Sequence, residues 1–420
     1  LKYLSDIVMR RNMDSKKDRI SHIGRNDGGV EMNIYDFKTK SEYIPRKNVS
    51  VDGYWPIGID VGYSGVKVYA PNAVLCFPSF ARVRREGIAE VGKMKNSDIL
   101  YRDDKGVLWD VGEMANNSLS PNDVDDSMNT LYSRYRYHNP MFKTLAETSM
   151  AMAMRANKIG AKKEEDKLKI VSGLPAKYHI ADAAPLRNVL EGHHRFDLKI
   201  GSNPWETYEF EIENEDLVIL QQPLGAYYST CLNNNADMTA LGNRIYRKLE
   251  VVIMDGGFGT IDGCLISAKT HKVTNKETFP AGAMKEIFRR TVADIQDIYG
   301  TEIAVHAFQR YLQTGKIPVV DRVARRKKEV SFADILERHT RQLCIETMTR
   351  MELAYDSFIG TDMLVVAGGT GAAWYEQLKD RYKEMGIEVI QSSPSDNLSS
   401  VYDIVRGYYL FLASMLKRTK

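Results

Sequence analysis

Cysteine and long apolar runs are the features that this sequence has least of. Its four cysteines are widely spaced, and no two form a CxxC pair, which argues against a disulfide scaffold and a zinc finger. No apolar run approaches the roughly 20 residues of a membrane-spanning helix, and the first residues contain no apolar signal core. A net charge of +3 is too small to indicate direct nucleic-acid binding. These absences predict a cytoplasmic protein with reduced cysteines that contacts neither membrane nor DNA directly.

Glycine is where the sequence becomes informative, first in residues 55–70. β-Branched residues stand on both sides of Gly62, Tyr63, Ser64 and Gly65. This pattern predicts a strand, a tight turn and a second strand. Glycines leave backbone N–H groups free to face an anion. The segment is therefore either a phosphate-binding hairpin or an ordinary one.

Two charged residues flank this turn. Asp60 closes the first strand, and Lys67 lies in the second. The ammonium group of Lys67 suits a phosphate, whereas a carboxylate repels phosphate unless a cation lies between them. Asp60 thus indicates Mg²⁺ held through water molecules, and an exposed surface carboxylate is the alternative.

The same design occurs again in residues 250–267. An apolar strand leads to Asp255, a glycine-rich turn follows, and a second strand carries Asp262. The turn contains Gly256, Gly257, Phe258 and Gly259. Two such units in one chain indicate two related halves that hold one polyphosphate.

A third glycine cluster lies in residues 363–374. An apolar strand leads into the loop, and a helix is predicted over residues 372–385. The loop consists of Gly368, Gly369, Thr370 and Gly371. This arrangement is typical of a binding loop at the carboxyl end of a strand.

In this order the three segments resemble the phosphate 1, phosphate 2 and adenosine motifs of the actin superfamily of ATPases, which also includes heat-shock chaperones and sugar kinases. The resemblance begins near Gly53 and is greatest to bacterial actin-like proteins of the ParM (plasmid-segregation) type, in which Thr and Asp follow phosphate 2 as Thr260 and Asp262 do here. It implies an α/β actin-like ATPase fold, with two related domains of mixed sheets flanked by helices around a central nucleotide cleft. The long N-terminal segment and a glutamine at position 221 depart from the ParM pattern.

The resemblance also implies a division of the chain. We expect an N-terminal extension of unknown role at residues 1–50, domain I at 51–230, completed by a last helix in 398–420, and domain II at 231–397. The last helix carries Gly407. Because glycine inside a helix costs about 1 kcal/mol relative to alanine, we expect a close helix contact there.

Nucleotide-binding roles follow from the same resemblance. ATP would be the nucleotide, with GTP left open, and Mg²⁺ would be held through water by Asp60 and Asp255, while Lys67 would neutralise phosphate charge. The residues that bind the nucleotide would be Asp60, Gly62, Tyr63, Ser64, Gly65, Lys67, Gly256, Gly257, Phe258, Gly259, Gly368, Gly369, Thr370 and Gly371.

The catalytic residues implied by the resemblance are Gln221, Asp255 and Asp262. In the superfamily a polar residue at the start of an interdomain helix faces the terminal phosphate. An aromatic residue follows six positions later, and Tyr227 therefore selects Gln221 over Gln222. Gln221 would orient the attacking water, with Asp262 as a candidate second positioner. A strand-end amide that caps the next helix is the alternative for Gln221.

Three classes of function remain open from the sequence. The first is a filament-forming ATPase in which ATP favours assembly and hydrolysis favours disassembly, joined to centromeric plasmid DNA through a small adaptor protein of the ParR type. The second is a small-molecule (sugar-type) kinase of the same fold, which would need a catalytic base where this chain has a glutamine. The third is a non-hydrolysing scaffold clamped by nucleotide. We favour the first.

Overall fold

The structure is a computed structural model, and it describes residues 41–84, 94–118, 133–312, 314–321, 326–394 and 396–418. Most of the predicted N-terminal extension therefore lies outside the described residues. Its last part does not, because Glu42–Pro45 forms a strand.

The described part of the chain begins with seven strands, and runs of one to three strands separated by one or two helices follow. In chain order the strands are β1 (Glu42–Pro45), β2 (Tyr54–Val61), β3 (Gly65–Ala70), β4 (Ala73–Pro78), β5 (Ala81–Val83), β6 (Ile99–Arg102), β7 (Leu108–Val111), β8 (Lys167–Leu174), β9 (Gly192–Ile200), β10 (Glu206–Ile212), β11 (Leu217–Gln221), β12 (Glu250–Gly256), β13 (Ile261–Ser267), β14 (Lys272–Phe279), β15 (Lys316–Asp321), β16 (Arg326–Ser331), β17 (Met363–Ala367) and β18 (Glu388–Gln391). The helices are α1 (Glu113–Asn117), α2 (Pro140–Met154), α3 (His179–Leu190), α4 (Gln222–Cys231), α5 (Ala240–Lys248), α6 (Met284–Tyr299), α7 (Val305–Phe308), α8 (Ala333–Ala354), α9 (Gly368–Tyr382) and α10 (Asp403–Arg418).

Two of the sheets repeat one topology. In the first sheet β4, β3 and β2 pair antiparallel, and β8 and β11 continue in parallel. In the third sheet β14, β13 and β12 pair antiparallel, and β17 and β18 continue in parallel. The first sheet has one further edge strand, β1, paired antiparallel to β4. The repeat confirms the prediction of mixed sheets in two related units.

Two smaller sheets complete the strand structure. The second sheet has the order β10-β9-β6-β7-β5, and the fourth is the hairpin β15-β16. We call the first and second sheets half I, and the third and fourth sheets half II. Each half has its own cluster of buried apolar side chains. The domain boundaries expected from the sequence stay a prediction.

Helix α10 lies at the seam between the halves. A third apolar cluster surrounds it, with contributions from the first sheet, from α4 and from the third sheet. A Cβ atom built on Gly407 would lie 1.7 Å from the Gly225 carbonyl oxygen, and one on Gly58 would lie 2.6 Å from the Val405 carbonyl oxygen. The predicted close contact at Gly407 is therefore confirmed, and its partner is α4.

The predicted elements differ from the structure most at α9. This helix begins at Gly368, four residues before the predicted start, so the glycine loop is itself the first helical turn. Gly368 has a φ of +74°, a value that glycine adopts without strain, and it turns the chain directly from β17 into α9. The pattern could not show this, because glycine lowers the helix propensity on which such predictions rest.

The state of the cysteines and the length of the apolar helices that the structure describes agree with the sequence analysis. All four cysteines are free, and Cys231, Cys264 and Cys344 are buried. Within the described ranges, no helix combines the length and the apolar character that a bilayer crossing requires.

The glycine contact at the seam gives a first prediction. We expect Gly407→Ala to lower the free energy of unfolding, because the new methyl group meets backbone rather than a movable side chain. Overpacking typically costs about 1–3 kcal/mol, and this loss should lie at the upper end of that range or above it. Gly160→Ala is the matched control, since nothing lies within 4 Å of a Cβ there. Chemical denaturation measures both, and equal stabilities would contradict the contact.

Candidate functional site

The first glycine-rich hairpin joins β2 to β3. Asp60 and Lys67 are direct cross-strand partners, and Lys67 Nζ lies 3.0 Å from Asp60 Oδ2. The turn is closed by the Gly62 N–H, which donates to the Gly65 carbonyl oxygen at 3.2 Å. A Cβ on Gly62 would lie 2.8 Å from Lys67 Nζ and 3.0 Å from the Gly65 carbonyl oxygen, so the ammonium group lies directly over the turn.

The second hairpin, between β12 and β13, has the same geometry. Asp255 faces Asp262 across the ladder as Asp60 faces Lys67, and the Gly257 N–H donates to the Thr260 carbonyl oxygen at 3.0 Å. The difference is the charge, because a carboxylate replaces the ammonium group. Asp262 accepts hydrogen bonds from Thr260 Oγ1 at 2.8 Å and from Thr278 Oγ1 at 2.5 Å.

Three carboxylates thus come together with little exposure to solvent. Asp60 and Asp255 are each 7% exposed, and Asp262 is 2% exposed. Burial, together with the negative charges of Asp262 and Asp60, raises the pKa of Asp255 well above its ordinary value. Burial raises the pKa of Asp262 to about 6, although its hydroxyl donors lower it. The site therefore has an unbalanced negative charge that a cation would relieve.

The third loop is seated on the second hairpin. A Cβ on Gly256 would lie 2.3 Å from the Gly371 nitrogen, and one on Gly368 would lie 2.5 Å from the Gly256 carbonyl oxygen. Thr370 Oγ1 donates to the Gly257 carbonyl oxygen. The amino end of α9 and the second hairpin are thus held as one backbone-to-backbone unit.

Gln221 is the last residue of β11, whereas Gln222 is the first residue of α4. Gln222 lines the cavity between the hairpins, and its Nε2 lies 3.4 Å from Asp60 Oδ1. Gln221 is the last residue of the strand and is not among the lining residues, and its buried Oε1 has no hydrogen-bond partner. The structure thus shifts the residue that faces the cavity by one position, because α4 begins immediately at Gln222.

The cavity brings most of the predicted binding residues together. Those that line it are Asp60, Gly62, Tyr63, Ser64, Lys67, Asp255, Gly257, Phe258, Gly259, Gly368 and Gly369. Gly65, Gly256, Thr370, Gly371 and Asp262 are not among the lining residues and lie behind that surface. The cavity has a volume of about 70 Å³, well below the roughly 300–1,000 Å³ of ordinary ligand pockets. The cavity is therefore too small for a molecule of nucleotide size unless its walls move.

Tyr63 closes the cavity from half I onto half II. A Cβ on Gly259 would lie 2.5 Å from Tyr63 Cδ2, so the ring rests on the glycine of the second hairpin. The ring also packs against the apolar cluster of half II. Only a glycine at position 259 leaves room for the Tyr63 ring. The glycine pattern in the sequence did not reveal this contact.

Arg136 is a cavity residue that the sequence analysis missed. It lies in a 3₁₀ turn, Arg134–His138, before α2, and it lines the cavity beside Tyr63. Since no glycine-rich pattern surrounds it and its sequence neighbours are aromatic, no signal in the sequence pointed to it.

The fold and this site define a class, a two-half protein with the actin-like fold and one glycine-rich hairpin from each half at a shared cleft. Residues 58–225 match the family model described as the N-terminal domain of actin-like proteins. A comparison with curated proteins finds no match.

Solved structures show the same fold over most of the chain. A 15-stranded ParM filament from Clostridium botulinum is 18% identical with a TM-score of 0.65, and the match covers 86% of this chain and 99% of that one. A non-polymerisable quadruple mutant of pCBH ParM is 18% identical with a TM-score of 0.64, covering 85% and 98%. An archaeal actin homologue in complex with ADP is 17% identical with a TM-score of 0.58, covering 84% and 98%. The chain therefore has the actin-like fold, and the predicted ParM-type resemblance is confirmed at the level of the fold.

The buried carboxylate of Asp262 gives a second prediction. A carboxyl group whose pKa is raised on folding destabilises the fold when it ionises, so its contribution is lost as pH rises from its ordinary 3.8 through about 6. Asp262→Asn should therefore gain stability over the wild type across this window, by on the order of 1 kcal/mol per unit of pKa shift.

Thermal unfolding without divalent cations, from pH 4 to about 7, measures this difference directly. Asp297→Asn, at an exposed position on α6, is the control and should follow the wild type. A difference between Asp262→Asn and wild type that does not change with pH would contradict an ionised Asp262 in the site.

Proposed function

We propose that this protein is an actin-like ATPase that binds ATP with Mg²⁺ between its two halves and assembles into filaments. The observation that carries the proposal is the pair of hairpins with equal geometry, one from each half, that meet at one cavity with Asp60 and Asp255 on its wall. A single phosphate-binding turn would support only nucleotide binding. Two opposed turns support a clamp whose closure depends on the nucleotide.

Phosphate binding would use both hairpins. The backbone N–H groups of Tyr63, Ser64, Phe258 and Gly259, which line the cavity, would face the phosphates from opposite sides, and Lys67 would neutralise part of their charge. The residues at the amino end of α9, Gly368 and Gly369, lie on the same cavity and would contact the nucleoside side. Whether ATP or GTP is preferred stays open.

Asp60 and Asp255 fit a hydrated magnesium ion. Oxygen ligands suit this hard cation, which keeps several of its waters in protein sites, and both carboxylates are buried on the cavity wall. The raised pKa of Asp255 has the charges of Asp262 and Asp60 among its causes, which is the electrostatic problem that a divalent ion relieves. When bound, Mg²⁺ would supply charge neutralisation for the phosphates.

Hydrolysis requires a residue that orients the attacking water. Gln222 lines the cavity beside Asp60, and we assign it this role in place of Gln221. Asp262 would act as a second positioning residue through its contact with the turn at Thr260. An amide orients water but is a poor base, which disfavours a kinase that must deprotonate a substrate hydroxyl.

Assembly into filaments is supported by the fold shared with a ParM filament. We extend the proposal to plasmid segregation in the cytoplasm through a DNA-binding adaptor of the ParR type, following the ParM resemblance. In this cycle ATP binding favours assembly, and hydrolysis loosens the clamp and favours disassembly.

Asp255→Asn tests the clamp. We expect the variant to keep its fold, because a neutral amide replaces a buried carboxylate of similar shape, and to lose Mg²⁺-dependent phosphate release together with ATP-dependent sedimentation. High-speed pelleting with ATP, ADP and no nucleotide, alongside phosphate release, makes the measurement.

The control for this experiment is Asp297→Asn, which should behave as the wild type. Normal turnover by folded Asp255→Asn would refute the proposed role of the second hairpin. If the wild type shows no ATP-dependent sedimentation but transfers phosphate to a small-molecule hydroxyl compound, the kinase alternative is correct.

The two glutamines provide a matched pair of variants. We expect Gln222→Ala to bind ATP and Mg²⁺ normally and to lower hydrolysis by about 10²- to 10⁴-fold, so its filaments should persist longer after ATP addition. Gln221→Ala should hydrolyse ATP close to the wild-type rate. Phosphate release with light scattering over time compares them, and a large loss in Gln221→Ala alone would restore the assignment made from the sequence.

A further inference from the structure

Arg136 is a buried cation with little to compensate its charge. It is 4% exposed, and among the described residues no carboxylate forms an ion pair with it. Its Nη2 donates to the Tyr137 hydroxyl at 3.4 Å, whereas its Nη1 is buried without a hydrogen-bond partner. Burying a guanidinium with an unsatisfied N–H is unfavourable, so a purely structural role would make Arg136 destabilising.

Aromatic rings hold this guanidinium in place. Its central carbon lies 4.6 Å from the Tyr63 ring centroid, 5.1 Å from that of Tyr137 and 5.3 Å from that of Phe142. Cation–π contacts of this kind fix the orientation of the guanidinium plane. They do not satisfy the N–H groups at its edge, so Nη1 keeps its capacity to donate.

The pairing of the cavity's cations favours an anion next to Arg136. Of the described residues, the cations that line the cavity are Lys67 and Arg136. Lys67 is engaged by Asp60 at 3.0 Å, which leaves Arg136 as the lining cation without a carboxylate partner in the described part of the chain. Arginine also binds phosphate oxygens with better-directed hydrogen bonds than lysine does.

Tyr63 connects this cation to the closure of the cleft. One contact of its ring is with Arg136, and another is with Gly259 in the opposite half. Through these two contacts, the Tyr63 ring links Arg136 in half I to Gly259 of the second hairpin in half II. A ligand that fixes Arg136 would also fix the ring that closes the cleft.

We propose that Arg136 binds the terminal phosphate group of a nucleoside triphosphate through Nη1 and thereby holds Tyr63 against Gly259. The proposal rests on the proposed function, because it requires that a nucleotide binds in this cavity. It adds a residue that distinguishes a triphosphate from a diphosphate, and a physical link from that phosphate to closure.

Arg136→Met tests the proposal with two readouts. Methionine has a similar length and packs well on aromatic rings, so without nucleotide the variant should melt at the wild-type temperature or above it, since a buried charge has been removed. By calorimetric titration with Mg²⁺, its affinity for the β,γ-imido analogue of ATP should fall by about 10- to 100-fold, as for a lost charged hydrogen bond. Its affinity for ADP should stay close to the wild-type value.

The matched control is Arg134→Met in the same 3₁₀ turn. Arg134 pairs with Asp182 at 2.6 Å and stacks on the Tyr178 ring, and it does not line the cavity, so both affinities should be unchanged. If Arg136→Met does not fold, Arg136→Lys keeps the charge and should still lose affinity for the triphosphate analogue selectively.

The outcomes separate this inference from the proposed function. Equal losses for ADP and the triphosphate analogue, or no loss for either, overturn the role of Arg136 while nucleotide binding by the wild type stands. A lower melting temperature without nucleotide and unchanged affinities identify a structural arginine and also overturn it. If the wild type binds neither nucleotide, the proposed function fails and the inference fails with it.

Discussion

The contact between α4 and α10 is the constraint on which the rest of the structure depends. At Gly407 the two helices touch through backbone atoms, with the Gly225 carbonyl oxygen where a side chain would be. Gly58 allows a similar backbone approach of α10 to the first sheet, and Gly173 leaves room for the Tyr408 side chain of α10. Since α4 begins at Gln222, which lines the cavity, the glycine contact at the seam also positions the helix that starts beside the two glycine-rich turns.

The cleft is held together differently from the seam. Buried apolar and backbone contacts dominate around α10, and Arg406 adds a buried ion pair with Asp396 at 2.8 Å. At the cleft, Tyr63 rests on Gly259, and the charge of Asp60 is among the causes that raise the pKa of the buried Asp255. The halves are therefore expected to open at the cleft and stay joined at the seam.

Sequence reasoning was most successful where glycine spacing and strand patterns coincide. Both hairpins, the strand before Gly368 and the contact at Gly407 follow from local rules, because steric demands of the backbone decide them. The sequence could not show that Gln222 rather than Gln221 lines the cavity, since one residue of register at a strand end depends on where the helix starts. The sequence could not identify Arg136 as a cavity residue, because its position beside Tyr63 is a long-range contact with no local pattern.

The charge pattern at the cleft suits a ligand that brings a cation and an anion together. In the second hairpin Asp262 replaces the lysine that neutralises Asp60 in the first, so the negative charge of the two facing turns exceeds the positive charge of Lys67. A polyphosphate alone would add to this excess, and a divalent ion alone would leave Arg136 without an acceptor for Nη1. Under the proposed function, the ion would supply a cation to the carboxylates and the phosphate would supply an acceptor to Arg136.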